Sequence, residues 1–138
     1  MTNTCTQKCT NSSKLPPVLD SIWKWNNIAG TLTDDPKTME LYKNLITEEY
    51  EEFIEAYQAK DEVEELDACI DLMWVINGYM RSRGWSQELV KAAFDEVERS
   101  NYSKFVDDNG IVRCVKRDDG KILKPSTFSP ADIASLFV

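Results

Sequence analysis

Residues 48 to 71 read EEYEEFIEAYQAKDEVEELDACID, and the way their charges fall on a helix decides the fold. Eleven of them are acidic (Glu48, Glu49, Glu51, Glu52, Glu55, Asp61, Glu62, Glu64, Glu65, Asp67, Asp71) and one, Lys60, is basic, a net charge of -10. The whole chain carries -8, so the remainder sums to +2. The acidity is a local device.

Leu45 and Ala56 lie on one apolar stripe, and at the 4-3-4 spacing between them stand Glu49 and Glu52. Core positions have been given to carboxylates. The next helix repeats the pattern, since Glu64, Asp67 and Asp71 are spaced 3 and 4 apart and the same seam continues as Trp74 and Gly78. A turn near residues 59 to 61 predicts that the two helices pack antiparallel with both acidic seams facing. Convergence of Glu49, Glu52, Glu64, Asp67 and Asp71 would raise their pKa values and cost several kcal/mol unless cations neutralise them. Hard divalent ions that prefer oxygen, Mg²⁺ or Mn²⁺, suit such a set. Off the seam, Glu51, Glu55, Glu62 and Glu65 read as a solvated face, and Glu48 flanks the seam. A Glu-rich helix that is solvated throughout remains the alternative at this point.

With 138 residues and 42% hydrophobic content, the chain can bury the core of one domain, in a four- or five-helix arrangement of the kind often completed by oligomerisation. A net charge of -8 argues against general affinity for nucleic acid or an anionic membrane. Four cysteines, Cys5, Cys9, Cys69 and Cys114, lack the spacing of a disulfide framework, so a reduced, cytoplasmic setting is expected. Cys5 and Cys9 do not make a zinc site, because the chain has no histidine and no second closely spaced pair. Neither a long apolar run nor a charged-then-apolar leader points to membrane or secretion.

Residues 1 to 14 are polar and read as a flexible arm, leaving 15 to 138 as a single domain. Pro16 and Pro17 open a helix to about Ala29, stopped by Gly30, with Leu19, Ile22, Trp23 and Asn26 on one side. Trp23 or Trp25 could be core, or could stack on a nucleobase. Asp34-Asp35-Pro36 caps a second helix to about Ala59, and a third runs from Asp61 through LMWVINGYM to just before Gly84. Residues 71 to 80 are expected to be fully buried. Ser86 caps a fourth helix to about Ser100, on which Leu89, Val90, Ala93, Phe94 and Val97 recur at helical spacing. The fold class is therefore all-α, with a short C-terminal β-hairpin and basic segment over residues 103 to 125. Turn signals at Asn109-Gly110 and Asp119-Gly120 place strands near Ile111 to Val115 and Lys121 to Leu123. Between residues 99 and 124 stand seven basic residues and four acidic ones, the positive counterpart of the acidic run. Ser129-Pro130-Ala131-Asp132 resembles the start of a terminal helix carrying Ile133, Leu136 and Phe137.

Several of these segments together resemble the all-α NTP pyrophosphatase superfamily, which contains MazG, the dimeric dUTP pyrophosphatases and the phosphoribosyl-ATP pyrophosphatases. Glu48-Glu49-Tyr50-Glu51-Glu52 matches its EExxE, and Glu64-Glu65-Leu66-Asp67 its ExxD. DACIDLMWVINGY (Asp67 to Tyr79) is similar to the DALADLLYVxYG stretch of the phosphoribosyl-ATP pyrophosphatase-like branch, with Trp74 where that branch usually has Tyr. SNYSKF and GKILKP (Ser100 to Phe105, Gly120 to Pro125) are similar to its sNmSK and GKVLKP signatures. The resemblance implies Glu49, Glu52, Glu64 and Asp67 as metal ligands, Asp71 as a further ligand or orienting group, and Glu48 with Glu49 as the catalytic, base-assisting pair. It implies phosphate contacts from Asn101, Lys104, Lys121 and Lys124; the nucleobase contact is expected, from its place near an acidic site and not from the resemblance, of an aromatic such as Trp23. The resemblance further implies Mg²⁺, with Mn²⁺ as a substitute, hydrolysis of a (d)NTP to (d)NMP and pyrophosphate, and a dimer or tetramer. Phosphoribosyl-ATP or another nucleotide as the substrate, and a non-enzymatic helical partner-binding protein, are the alternatives.

Overall fold

The computed structural model describes residues 15–31 and 34–137. The arm expected over residues 1 to 14, with Cys5 and Cys9, lies outside the described residues. Four α-helices and one two-stranded sheet follow in order: α1 Pro17–Ala29, α2 Pro36–Ala59, α3 Glu62–Ser82, α4 Gln87–Tyr102, β1 Val106–Asp108 and β2 Ile111–Arg113. The fold is all-α with a short hairpin. The chain divides into two compact units, Met1–Gln87 and Glu88–Val138.

In the first unit the helix boundaries follow from local chemistry. Pro17 starts α1, and Gly30 ends it at φ 71°, with Gly30 N–H reaching Asn27 O and Thr31 N–H reaching Asn26 O. Asp35 caps α2, its carboxylate accepting from the backbone of Lys37 and Thr38. Lys60 closes that helix in the left-handed region, at φ 57°. Immediately afterwards Asp61 caps α3 by accepting from Val63 and Glu64 N–H at 3.2 Å. Two residues therefore join α2 to α3.

A buried polar hub pins the three helices together. Asn26 of α1 is fully buried and donates from Nδ2 to Ile22 O at 2.9 Å. Its Oδ1 accepts from Thr31 Oγ1 at 2.7 Å and from the Tyr42 hydroxyl of α2 at 3.0 Å. The Tyr42 ring in turn lies against α3 at Gly78, where any Cβ would overlap it. Only glycine permits that approach.

Residues 71 to 80 are not fully buried. Val75 and Gly78 are, but Met73 and Ile76 are 45% and 43% exposed. A helix that is apolar on both sides cannot turn both toward the same neighbours. Among the described residues no helix is long and apolar enough to cross a membrane.

In the second unit α4 ends at Tyr102, two residues beyond the expected stop. β1 and β2 pair antiparallel, with Val106 opposite Arg113 and Asp108 opposite Ile111. The turn is Asn109-Gly110, both at positive φ, and Gly110 N–H donates to Asp107 Oδ1 at 2.9 Å. Hence the strand expected over 111 to 115 stops at Arg113 and pairs backward, with 106 to 108. The strand expected over 121 to 123 reduces to a single bridge between Lys116 and Ile122. There the Asp119-Gly120 turn is closed by its own side chains, Arg117 pairing with Asp119 and Asp119 accepting from Lys121 N–H.

The expected terminal helix is only a 3-10 turn, Ala134–Phe137. Its upstream backbone is committed elsewhere: Ser129 N–H donates to Ser103 Oγ at 2.8 Å, and Asp132 N–H to Glu96 Oε1 at 3.0 Å. Arg99 adds a bond to Pro130 O at 3.1 Å. This clasp holds the C-terminal segment along α4.

Candidate active site

Tyr42 meeting Gly78 near one end, and the two-residue link at the other, set α2 and α3 antiparallel. Between these ends the helices approach over small residues, the buried Ala56 and Ala68. With Ala59 they floor a cleft of about 450 Å³. Its walls are carboxylates: Glu52 and Glu55 from α2, Asp61 at the link, and Glu64 and Asp67 from α3. Glu55, which helix phase alone assigns to a solvated face, thus joins the cleft, one turn beyond Glu52. Its spacing of 3 from Glu52 is the signal that could have found it.

One turn earlier on α2 stands Glu49. Its Oε2 is buried and has no hydrogen-bond partner. Burial raises its pKa above the usual carboxylate range, and the negative charges of Glu52, Asp71, Asp67 and Glu48 raise it further. The facing seams thus bring Glu48, Glu49, Glu52, Asp67 and Asp71 within electrostatic reach, while Glu64 sits at the open end with Glu52 and Asp67. Among the described residues no three His, Cys, Asp or Glu side chains are gathered closely enough to hold one metal ion. Like charges on facing helices favour separation. The donors are nonetheless all oxygen, the chemistry a hard divalent cation prefers: Glu52, Glu64 and Asp67 line the cleft, and Glu49, one turn away on α2, has a buried oxygen without a partner.

Aromatic groups flank the seam at the Trp74 end. Trp74 lies one turn beyond Asp71, and the ring of Trp25 from α1 meets it edge-on with centroids 5.7 Å apart. Trp25 is half exposed. Trp23, the aromatic singled out from sequence, has its ring face covered by the Arg81 guanidinium. Arg81 is buried, donates to Trp85 O at 2.8 Å, and leaves its Nε without a partner. Burial lowers its pKa to about 10.

The other sequence candidates belong to the second unit. Lys104 Nζ donates to Asn101 Oδ1 at 3.1 Å, so these two side chains act together. Lys104 also lines a small cavity of about 280 Å³ with Arg113, Cys114 and Pro125. Lys124 places its ammonium 4.9 Å from the centre of the Phe128 ring, and Lys121 is exposed beside the Asp119-Gly120 turn.

An antiparallel helix pair with EExxE on one member and ExxD on the other defines the class, the MazG-like all-α NTP pyrophosphatases. The sequence model of phosphoribosyl-ATP pyrophosphohydrolase matches residues 29–101, more than half of the chain, and the chain belongs to that family. It is a nucleotide pyrophosphohydrolase, a hydrolase of phosphorus-containing acid anhydrides. The matched region contains both acidic motifs and Asn101, and ends before Lys104, Lys121 and Lys124. A search of curated proteins found no match.

Proposed function

We propose that the protein is a Mg²⁺-dependent nucleoside triphosphate pyrophosphohydrolase, converting a (d)NTP to a (d)NMP and pyrophosphate. The observation that carries this reading is Glu49, whose buried, unpartnered oxygen sits among four further carboxylates. Glu49, Glu52, Glu64, Asp67 and Asp71 would hold the cation. Bound there, Mg²⁺ or Mn²⁺ would neutralise phosphate oxygens and make a bound water more acidic.

The chain's own groups supply the rest. Glu48 or Glu49 takes the proton from the water that attacks the α-phosphorus. Asp71, beside Glu49, orients the seam. Lys104, fixed by Asn101, together with Lys121 and Lys124, meets phosphate charge as compact cations. Trp25 and Trp74 present the aromatic edge and face against which a nucleobase stacks.

The family match favours a second substrate, phosphoribosyl-ATP, which also carries a triphosphate and would lose pyrophosphate through the same attack. Product chromatography with a panel of dNTPs, NTPs and phosphoribosyl-ATP plus Mg²⁺ tests both readings. Pyrophosphate and a nucleoside monophosphate are expected from the favoured triphosphate. Orthophosphate with a nucleoside diphosphate as first products would overturn the mechanism, and turnover confined to phosphoribosyl-ATP would replace the first substrate by the second.

A further inference from the structure

Arg81 is a buried cation for which the hydrolytic reading has no use. It is 7% exposed, its Nε is buried without a partner, and among the described residues no carboxylate pairs with it. Burial lowers its pKa to about 10, so it remains charged at neutral pH. An apolar side chain of the same length would fill the space without desolvating a charge. It could not hold an aromatic face and a carbonyl at once. The guanidinium covers the ring face of Trp23 on α1, tryptophan being the strongest aromatic partner for a cation, and donates to Trp85 O at 2.8 Å beyond the end of α3.

The consequence lies on the opposite flank of α1. Ile22 and Asn26 form its buried side, and Trp23 and Trp25 project to either side of them, about 200° apart around the helix. On α3, Trp74 and Arg81 stand seven residues apart, two turns along one face and roughly 10 Å in rise. α1 lies across that interval, with its Trp23 flank gripped by Arg81 and its Trp25 flank edge-on to Trp74. The hydrogen bond between Asn26 and Tyr42 tethers the buried side between these flanks, as a pivot. A helix held at a pivot and one flank can roll about its axis, whereas a helix held on both flanks cannot. We propose that Arg81 is the positioning residue of the nucleobase site: by clamping Trp23 it fixes the roll of α1 and so keeps Trp25 against Trp74, where the base stacks. Arg81 itself touches neither ring of that pair. Without the clamp Trp25, already half exposed, swings clear of Trp74. This assignment rests on the stacking proposed for Trp25 and Trp74, whereas the spectroscopic half of its test does not.

Two tryptophan rings with centroids 5.7 Å apart couple their excited states, and the part of the far-ultraviolet circular dichroism that Trp25→Phe removes is the signature of the pair. In Arg81→Met, matched in length but uncharged, that signature is expected to disappear while the helical signal is retained. Arg83→Met, which removes an exposed cation from the same end of α3, is expected to leave it in place. With Mg²⁺ and each of the four dNTPs in turn, Arg81→Met should raise KM about tenfold at unchanged kcat, the mark of one lost aromatic contact in the bound ground state. A signature that survives in Arg81→Met, or that Arg83→Met removes equally, overturns the clamp. An unchanged KM, or a fall in kcat alone, overturns its part in holding substrate. Should Arg81→Met unfold, Trp23→Leu removes the other half of the clamp and is held to the same outcomes. A wild type that hydrolyses none of the four dNTPs counts against the hydrolytic reading, and the signature still decides the clamp.

Discussion

The ring of Tyr42 occupies the space a side chain at Gly78 would need, so the spacing of α2 and α3 is set by a residue that has none. Gly78→Ala should therefore destabilise the protein by about 2 kcal/mol or more, although alanine is the better helix former. Thermal melts should show a fall of several degrees. Because the clash is with Tyr42 itself, Tyr42→Ala combined with Gly78→Ala should cost less than the two separate effects added together. A Gly78→Ala protein as stable as the wild type would mean that the helices do not meet there.

Glu49 is strained where Gly78 is relaxed. Its carboxylate is partly buried among like charges, so Glu49→Gln should raise the melting temperature of the protein in chelator by a few degrees while abolishing hydrolysis. Mg²⁺ should stabilise the wild type far more than the variant, through preferential binding to the folded state. The same two-sided outcome is expected of Asp67→Ala. Equal Mg²⁺ shifts in wild type and variant would remove the cation from this cleft.

Lys104 and Asn101 are joined by a 3.1 Å hydrogen bond and should fail together. Lys104→Ala should slow turnover by much more than it weakens Mn²⁺ binding, and Asn101→Ala should lower kcat/KM in the same direction by a smaller factor. Steady-state kinetics beside a Mn²⁺ titration separates the effects. Unchanged kinetics in both variants would return the pair to the solvated surface.

The clasp on the C-terminal segment should be sensitive to acid. Hydrogen bonds from the Arg99 side chain and then from Asp132 N–H hold the Glu96 carboxyl at a pKa of about 2, against an ordinary 4.5. A depressed carboxylate stabilises the folded arrangement above its unfolded pKa, and that contribution is lost as pH falls through the folded value. Amide exchange at Asp132, corrected for intrinsic rate, should thus keep its protection at pH 5 and lose it progressively between about pH 4.5 and 2. In Glu96→Gln the protection should already be weak at neutral pH. Identical profiles for the two proteins would show that Glu96 does not hold the segment.

The helices were legible because their punctuation is local. Pro17, Asp35 with Pro36, and Asp61 each satisfy or remove backbone donors at a helix start, so α1, α2 and α3 begin within about a residue of where sequence places them. The acidic seam was legible in part: Glu49 and Asp71 are part-buried, as their apolar phase implies, whereas Glu52, Glu64 and Asp67 line the cleft exposed and not in the core. What failed depends on partners that composition does not name. The apolar run from Leu72 to Met80 shows no sign of which side is covered, so Met73 and Ile76 could not be told from Val75. Val106-Asp107-Asp108 has no apolar alternation and becomes a strand only because Asn109-Gly110 folds β2 back onto it. Trp23 and Trp25 are two residues apart with the same chemistry, and a cation from the far end of α3 decides which ring face is taken.

The two-residue link at Lys60 and Asp61 has a consequence for how the gene can change. With Lys60 in the left-handed region and Asp61 already capping α3, the link has no slack to absorb an added or missing codon. One residue more or less would advance α3 by about 100° around its axis and carry Asp67 and Asp71 out from between the helices. Substitutions can accumulate along both helices, whereas a change of length at this joint takes the cleft apart in one step.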